Sequence, residues 1–321
     1  MSNMPKPNKR DHQSGAGVDI WRVNAFTDSP FTGNPAGVVP HADGLSVELM
    51  QKIAGELNNI SETVFISTPQ DPKADIRLRY FTTTTEVDLC GHATIAALFT
   101  LAWSGKLSGN NETRTLMAET PVGLLELGVT FAGGELQWAT MEQLIPQTAL
   151  PTQPDLAAQV LGLPVAALAQ APAIGCCTTG IWACFAPVKD LAALAAIQIQ
   201  RELIEQLWPG NDELTGIYAF TFLDPPTPSQ AALPGKQIYT QGRFFSPPKY
   251  GIVEDPVTGT ASGALGGYLI EQGYMTKGDH LFARQGVEMG RGGMVRVQQN
   301  ANGCMSISGQ AVPIFQGTLL I

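Results

Sequence analysis

Cysteine is sparse in this 321-residue sequence and unpaired in pattern. The five cysteines, Cys90, Cys176, Cys177, Cys184 and Cys304, are odd in number and show no Cys-x-x-Cys spacing. That argues against a disulfide framework and against a spacing-encoded zinc site. The four histidines, at 12, 41, 92 and 280, stand far apart with no ligand spacing. No apolar run reaches the ~18 residues of a membrane span. Basic charge is also short: 19 Lys and Arg against 28 Asp and Glu give a net charge of −9, which argues against a nucleic-acid binder needing a basic face. Residues 1–17 are polar with scattered charge and hold no apolar stretch, so they read as a flexible tail and not as a secretory signal. A reduced, cytoplasmic protein is the expectation.

What remains is a globular composition, 44% hydrophobic and 15% charged, long enough for two domains. Val18 to Phe26 alternates apolar and polar residues and predicts a strand, and Ala36 to Val39 a second. Ser46 is a good N-cap for a helix carrying Leu49, Ile53 and Leu57 and ending near Asn58-Asn59. Strands are expected over 63–67 and 76–81, a buried helix of small apolar residues over 93–103, and a hairpin over 113–129 around Thr120-Pro121. Residues 142–156, rich in Pro, Gln and Thr, are the best linker. Beyond it, 155–161, 189–196 and 201–207 read as helices, 181–186, 216–223 and 238–245 as strands, 261–271 as a second small-residue helix, and 280–320 as strand and turn. Strands outnumber helices, and the arrangement is α+β.

One pattern occurs twice. Arg79-Tyr80-Phe81-Thr82 leads to Gly91-His92-Ala93-Thr94; Arg243-Phe244-Phe245-Ser246, 164 residues on, leads to Gly259-Thr260-Ala261-Ser262. The loop between is four residues longer in the second copy. A duplication follows: two similar halves, each with a central helix. A Gly-led helix start leaves N–H groups free, and the helix dipole adds partial positive charge there, so two such starts facing each other would grip an anion. Close packing against strands explains the small residues equally well.

Glu62, in Ser61-Glu62-Thr63, precedes an apolar strand, where partial desolvation would raise its pKa toward that of a useful base. Position alone fits a surface loop residue as well. In Glu254-Asp255-Pro256-Val257-Thr258-Gly259, Asp255 either caps a turn or faces the cleft as a second acid/base group. His92 stands at a helix start, where the dipole disfavours the imidazolium. Gly33-Asn34-Pro35-Ala36-Gly37 reads as a turn bringing backbone close to something. Gly286 and Gly290-Arg291-Gly292-Gly293 read as a tight turn in which Arg291 binds a carboxylate or is simply solvated. Neither glycine cluster is a nucleotide-binding fingerprint.

Asn24-Ala25-Phe26-Thr27 with Gly33-Asn34-Pro35-Ala36, Ser61-Glu62-Thr63, Cys90-Gly91-His92-Ala93-Thr94 and Glu254-Asp255-Pro256-Val257-Thr258-Gly259 together resemble the PhzF-like family of phenazine biosynthesis over residues 18 to 310. The resemblance implies the diaminopimelate epimerase-like fold: two similar domains, each a curved sheet or barrel around a central helix, with the active site in the cleft between them. It also implies a homodimer and an isomerase that uses no metal or organic cofactor. Glu62 matches the family's proton-moving glutamate. Asp255 is the second candidate, and His92, Gly91, Ser61, Gly259, Thr260 and Asn34 are the expected substrate-binding positions. Related racemases use two facing cysteines; here Cys90 has Asp255 and Thr258-Gly259 opposite it, which disfavours a two-thiol mechanism and makes Cys90 a packed thiol. Where a Pro would be expected after Arg291, Gly292 stands.

The expected organisation is a tail over 1–17, a first domain over 18–142 and a second over 150–321, whose final strand could pack on the first. The expected function is proton transfer within a small unsaturated carboxylic or amino acid, with no nucleic acid or membrane partner. An amino-acid racemase or epimerase and a non-catalytic small-anion-binding protein are the alternatives.

Overall fold

The computed structural model of the chain describes residues 17–57, 60–149, 153–208, 211–224 and 233–321. The expected tail, apart from Gly17, and the Asn58-Asn59 helix end lie outside the described residues. Among the described residues no helix is long and apolar enough to cross a membrane.

The duplication is visible strand by strand. In the first half, Val18–Ala25 runs antiparallel to Asn34–Val39, which runs parallel to Glu62–Ser67. That strand is antiparallel to Ile76–Thr82, which pairs in turn with the short Glu86–Val87 and, in parallel, with Thr113–Thr120. Gly123–Ala132 and Glu135–Glu142 complete the series, both antiparallel. The second half repeats every orientation with Gly175–Thr178, Trp182–Pro187, Leu214–Leu223, Gln237–Phe245, Glu254–Asp255, His280–Gln285, Gly293–Gln299 and Met305–Gly309. Each half also receives a strand from beyond its partner. Gln147–Ala149 follows the first series but pairs with Cys176–Thr178, and Ala311–Leu319 follows the second but pairs with Val18–Ala25. The last strands of the two series meet along one seam, Ile307 opposite Met141.

Each sheet curves around one helix, Gly91–Trp103 or Gly259–Glu271. Gly91 through Leu101 is buried without interruption, so the first of these helices has no polar face and must sit inside the sheet. Small residues let strands close on the second: a Cβ at Gly266 would come within 2.8 Å of both Met305 Cε and Val297 Cγ1. The outer faces are covered by separate elements. Helix Val47–Glu56, capped by Ser46 accepting from Leu49 N–H, packs Met50 and Ile53 on the side of Phe65 and Phe81. Helix Pro154–Leu161 and the segment Arg201–Leu207 cover Cys184, Ile217 and Phe245.

The repeated motif is also equivalent in its contacts. Arg79 forks onto Glu86 (2.7 and 2.7 Å) and lies over the Phe81 ring; Arg243 forks onto Glu254 (2.8 and 2.8 Å) and lies over Phe245. Thr94 and Ser262 each bond back 2.8 Å to the carbonyl of the residue before their helix, Cys90 and Thr258.

Several elements differ from expectation. Residues 201–207 form a 3-10 segment and not an α-helix. The helix expected over 189–196 is Leu191–Ala195, because the Asp190 carboxylate accepts from Ala193 N–H (2.8 Å) and sets the start there. The linker stretch contains the strand Gln147–Ala149, and Glu135–Glu142 and Gly175–Thr178 are strands that the periodicity did not single out.

Candidate active site

The two central helices start against the same side chain. A Cβ on Gly91 would lie 3.4 Å from Ile307 Cδ1, and one on Gly259 would lie 2.9 Å from that atom and 2.8 Å from the Phe26 ring. Glycine at both positions lets the helix N-termini crowd into the seam between the halves. Neither residue preceding a helix, Cys90 or Thr258, caps its first turn with a side chain. The first-turn N–H groups have no partner within their own helix; in the first helix those of His92 and Ala93 approach the Cys90 sulfur.

Glu62 opens strand Glu62–Ser67, next to Ala36 on one side and Thr82 on the other. Its Oε2 lies 3.3 Å from His92 Nε2, is out of solvent contact and has no hydrogen-bond partner. Ser61 Oγ lies 3.3 Å from the same nitrogen. Asp255 enters from the second half. Its Oδ1 accepts from Asn34 Nδ2 at 2.8 Å and its Oδ2 from the Thr258 hydroxyl. The second N–H of Asn34 goes to the Val257 carbonyl, also at 2.8 Å. Asn34, Ser61, Glu62, His92 and Asp255 are thus brought together in space.

Burial dominates the protonation of this cluster. It pushes the Glu62 carboxyl up, with Ser61 opposing, and pushes the Asp255 carboxyl up against the pull of His92, Thr258 and Asn34. It pushes His92 down to about 4, although Asp255 favours the charged ring. His92 is therefore neutral at physiological pH. Burial also holds Cys90 as a thiol, 3.4 Å from His92 Nδ1. His92 Nδ1 thus faces the thiol and Asn34 Nδ2 (3.5 Å), and Nε2 faces Glu62 and Ser61.

Thr260 occupies the place in the second helix that His92 has in the first, and its carbonyl accepts from the Thr179 hydroxyl (3.5 Å). Arg291 is not a solvated turn residue. Its Nε donates to the Gly33 carbonyl (3.2 Å) and its own carbonyl accepts from Gly33 N–H (3.0 Å), tying the late glycine turn to the early one. Gly33 is left-handed (φ 70°), and a Cβ there would strike the Thr27 side chain. Gln285 was not foreseen. Fully buried, it donates to the Asp255 carbonyl (2.6 Å) and Thr258 Oγ1 (3.1 Å) and accepts from Thr258 N–H (3.1 Å). Its only signal in sequence is a polar residue closing a strand just before Gly286.

Residues 23–317 match the family model described as phenazine biosynthesis-like protein, PhzC-PhzF. The chain belongs to the PhzF family. An uncharacterized isomerase of Clostridium acetobutylicum is 33% identical over 312 residues, covering 94% of this chain and 98% of that protein. The trans-2,3-dihydro-3-hydroxyanthranilate isomerase of Pseudomonas chlororaphis is 28% identical over 304 residues, covering 93% and 98%. The crystal structure of a PhzF family protein from Bacillus anthracis superposes with a TM-score of 0.81 at 31% identity, covering 95% and 99%. This PhzF family member is an isomerase with the diaminopimelate epimerase-like fold, and the cluster lies where its two halves meet.

Proposed function

We propose that the chain moves a proton within a small unsaturated carboxylic or amino acid by general acid–base catalysis, with Glu62 as the proton carrier. The observation that supports this most is the Glu62 Oε2 atom, which is out of solvent contact, has no hydrogen-bond partner and lies 3.3 Å from a neutral imidazole. An orphaned carboxylate oxygen is costly to a fold and available to a substrate. In this reading Glu62 takes a proton from a carbon made acidic by a neighbouring double bond or carbonyl group. The electron pair delocalises into that system. Free N–H groups of the Gly91 and Gly259 helix starts hold the substrate carboxylate and the developing charge. The proton returns at another carbon from Glu62 or from Asp255, whose raised pKa lets it carry one. His92 and Ser61 orient Glu62, while Asn34, Thr258 and Gln285 fix Asp255. The Pseudomonas relative's cyclic amino acid is one substrate of this class.

The test is proton exchange followed by NMR in deuterated water, over a panel of cyclic and acyclic unsaturated amino and carboxylic acids. Wild type is expected to incorporate deuterium with migration of a double bond, and Glu62→Gln to be slower by about 10^2–10^4-fold, the scale of a lost general base. Exchange at a retained stereocentre without bond migration points instead to a racemase, in which Glu62 and Asp255 flank one carbon. Binding without exchange by wild type points to an anion-binding protein.

A further inference from the structure

We propose that Phe26 is a positioning residue for the reaction: its ring, carried from the first half of the chain into the second, sets where the Gly259 helix start stands in the site. Phe26 is fully buried yet left-handed, with φ 61°. A bulky residue adopts that region only where its surroundings force it. Here the second half does so. The Phe26 N–H donates to the Gln310 carbonyl (2.7 Å), and the Phe26 carbonyl accepts from Met294 N–H (2.8 Å). A Cβ on Gly293 would lie 2.6 Å from that carbonyl oxygen, so glycine there keeps the approach open.

The repeat separates the turn from the ring. Traced through the paired registers outward from Phe81 and Phe245, Thr63 matches Ile217, Gly37 matches Cys184, Pro35 matches Trp182 and Asn24 matches Thr178. Phe26 therefore matches Gly180, whose φ is also positive (147°). The second half makes this turn with a glycine, at no steric cost. The first half makes it with a phenylalanine, which points to a use for the side chain. Both ends of the ring show that use. A Cβ on Gly309 would strike Cδ1 and come within 2.9 Å of Cε1, whereas one on Gly259 would meet the opposite corner, 2.8 Å from Cζ and 3.1 Å from Cε2. The ring fills the space between strand Met305–Gly309 and the first residue of helix Gly259–Glu271, with a glycine on each side to admit it. Close-packed interiors transmit displacement, so the place of the ring fixes the place of the helix start. The kinetic consequence rests on the proton-transfer reading, in which those N–H groups hold the substrate carboxylate; the positional claim does not.

The experiment pushes on the ring from its far side. Gly309 lies opposite Ala139 in an antiparallel ladder and outside the left-handed region, so Gly309→Ala adds one methyl against the ring without backbone strain. Phe26→Leu keeps Cγ and two methyls but lacks Cε2 and Cζ, the atoms that face Gly259, and so cuts the transmission. Crystal structures of the full-length protein should show the Gly259 Cα displaced by about 0.5 Å or more in Gly309→Ala, beyond the tolerance of a productive site, and not displaced when Gly309→Ala is added to Phe26→Leu. On the panel compound that wild type exchanges fastest, Gly309→Ala should lower kcat/KM by about 10–100-fold, mainly through KM, since small misplacements are felt on that scale. The acid limb should stay where it is, because Glu62 is not touched. Added to Phe26→Leu, Gly309→Ala should lower kcat/KM no further. An unmoved Gly259 in Gly309→Ala, or an equal kinetic loss in both backgrounds, overturns the proposal. A displaced Gly259 with an unchanged KM overturns its role in the reaction. If Gly309→Ala does not fold by circular dichroism, an unmoved Gly259 in the Phe26→Leu structure overturns it instead. No exchange by wild type on any compound sinks the proton-transfer reading alone and leaves the Gly259 displacement to decide the positional claim.

Discussion

Asn34, from the first half of the chain, donates one amide hydrogen to Asp255 Oδ1 and the other to the Val257 carbonyl, both at 2.8 Å and both in the second half. One buried side chain therefore straps the two halves together at the point where their carboxylic acids approach. The Glu62 carboxylate adds to the burial that raises the Asp255 pKa, and the Asn34 hydrogen bond opposes that rise.

Replacing Asn34 by Leu keeps its bulk and removes both donors. Asp255 Oδ1 and the Val257 carbonyl then lose the Asn34 donor, at a cost of about 1–3 kcal/mol for each buried group left unsatisfied. Chemical denaturation should show a loss in that range, and proton exchange should slow with kcat falling more than KM rises, because Asp255 is displaced and not removed. A variant as stable as wild type within ~0.5 kcal/mol would show that Asn34 is no strap.

Glu62 should make the protein less stable than it could be. Burial raises its folded-state pKa, so between the unfolded and folded values the native state binds more protons than the unfolded chain, and stability falls as pH rises through that window. The penalty is fully present above the raised folded pKa and absent below the unfolded value of about 4.3. Glu62→Gln removes it. The variant is expected to melt above wild type at pH 8, with the gap closing as pH approaches 4. A gap of the opposite sign would mean that the carboxylate is satisfied in the native state.

The duplicated architecture was legible in the sequence because it is carried by residues with strict local demands. Arg79 and Arg243 announce equivalent strands, and the Gly-led helices announce equivalent turns. The chemistry was legible only in part, because the halves share shape and not function. Thr63 lies opposite Phe81 and Ile217 opposite Phe245, so Glu62 corresponds to Gly216. By the same repeat, Cys90 corresponds to Thr258 and His92 to Thr260. One half thus supplies Glu62, Cys90 and His92, the other Asp255 and Thr258, and only the fold joins them. Gln285 was hidden because its value lies in three contacts made across 27 to 30 residues of chain. Of the two exchanged strands, Gln147–Ala149 was hidden because three residues are too few to show a period, whereas Ala311–Leu319 fell within the stretch read as strand and turn.

His92 should leave no mark on the pH profile near 6.5, where an ordinary histidine titrates. Burial holds it neutral down to about 4. The acid limb of kcat/KM should instead follow Glu62, which must be ionised to accept a proton, and should lie above the usual carboxylate range because its pKa is raised. Glu62→Asp should move that limb, while His92→Asn should lower the rate without moving it far. A limb near 6.5 that vanishes in His92→Asn would make the imidazole the base.

The paired Arg–Glu contacts offer a stability test of the repeat. Arg243 and Glu254 meet through two 2.8 Å bonds with only 12% and 13% of their side chains exposed, whereas Lys249 and Glu205 meet at 3.0 Å with 37% and 55% exposed. Removing one partner of a buried pair strands the other charge, at a cost approaching ~3–5 kcal/mol, while a solvated pair contributes ~0–1 kcal/mol. Glu254→Gln should therefore destabilise far more than Glu205→Gln in denaturant titration. Glu86→Gln should cost somewhat less than Glu254→Gln, since Arg79 and Glu86 keep 19% and 30% exposure. The Glu254 variant should also slow proton exchange, because Glu254 immediately precedes Asp255 on a two-residue strand held against Phe244 and Phe245. If Glu254→Gln and Glu205→Gln cost the same, the forked pair contributes no more than a solvated one, and the strand is held by its backbone ladder alone.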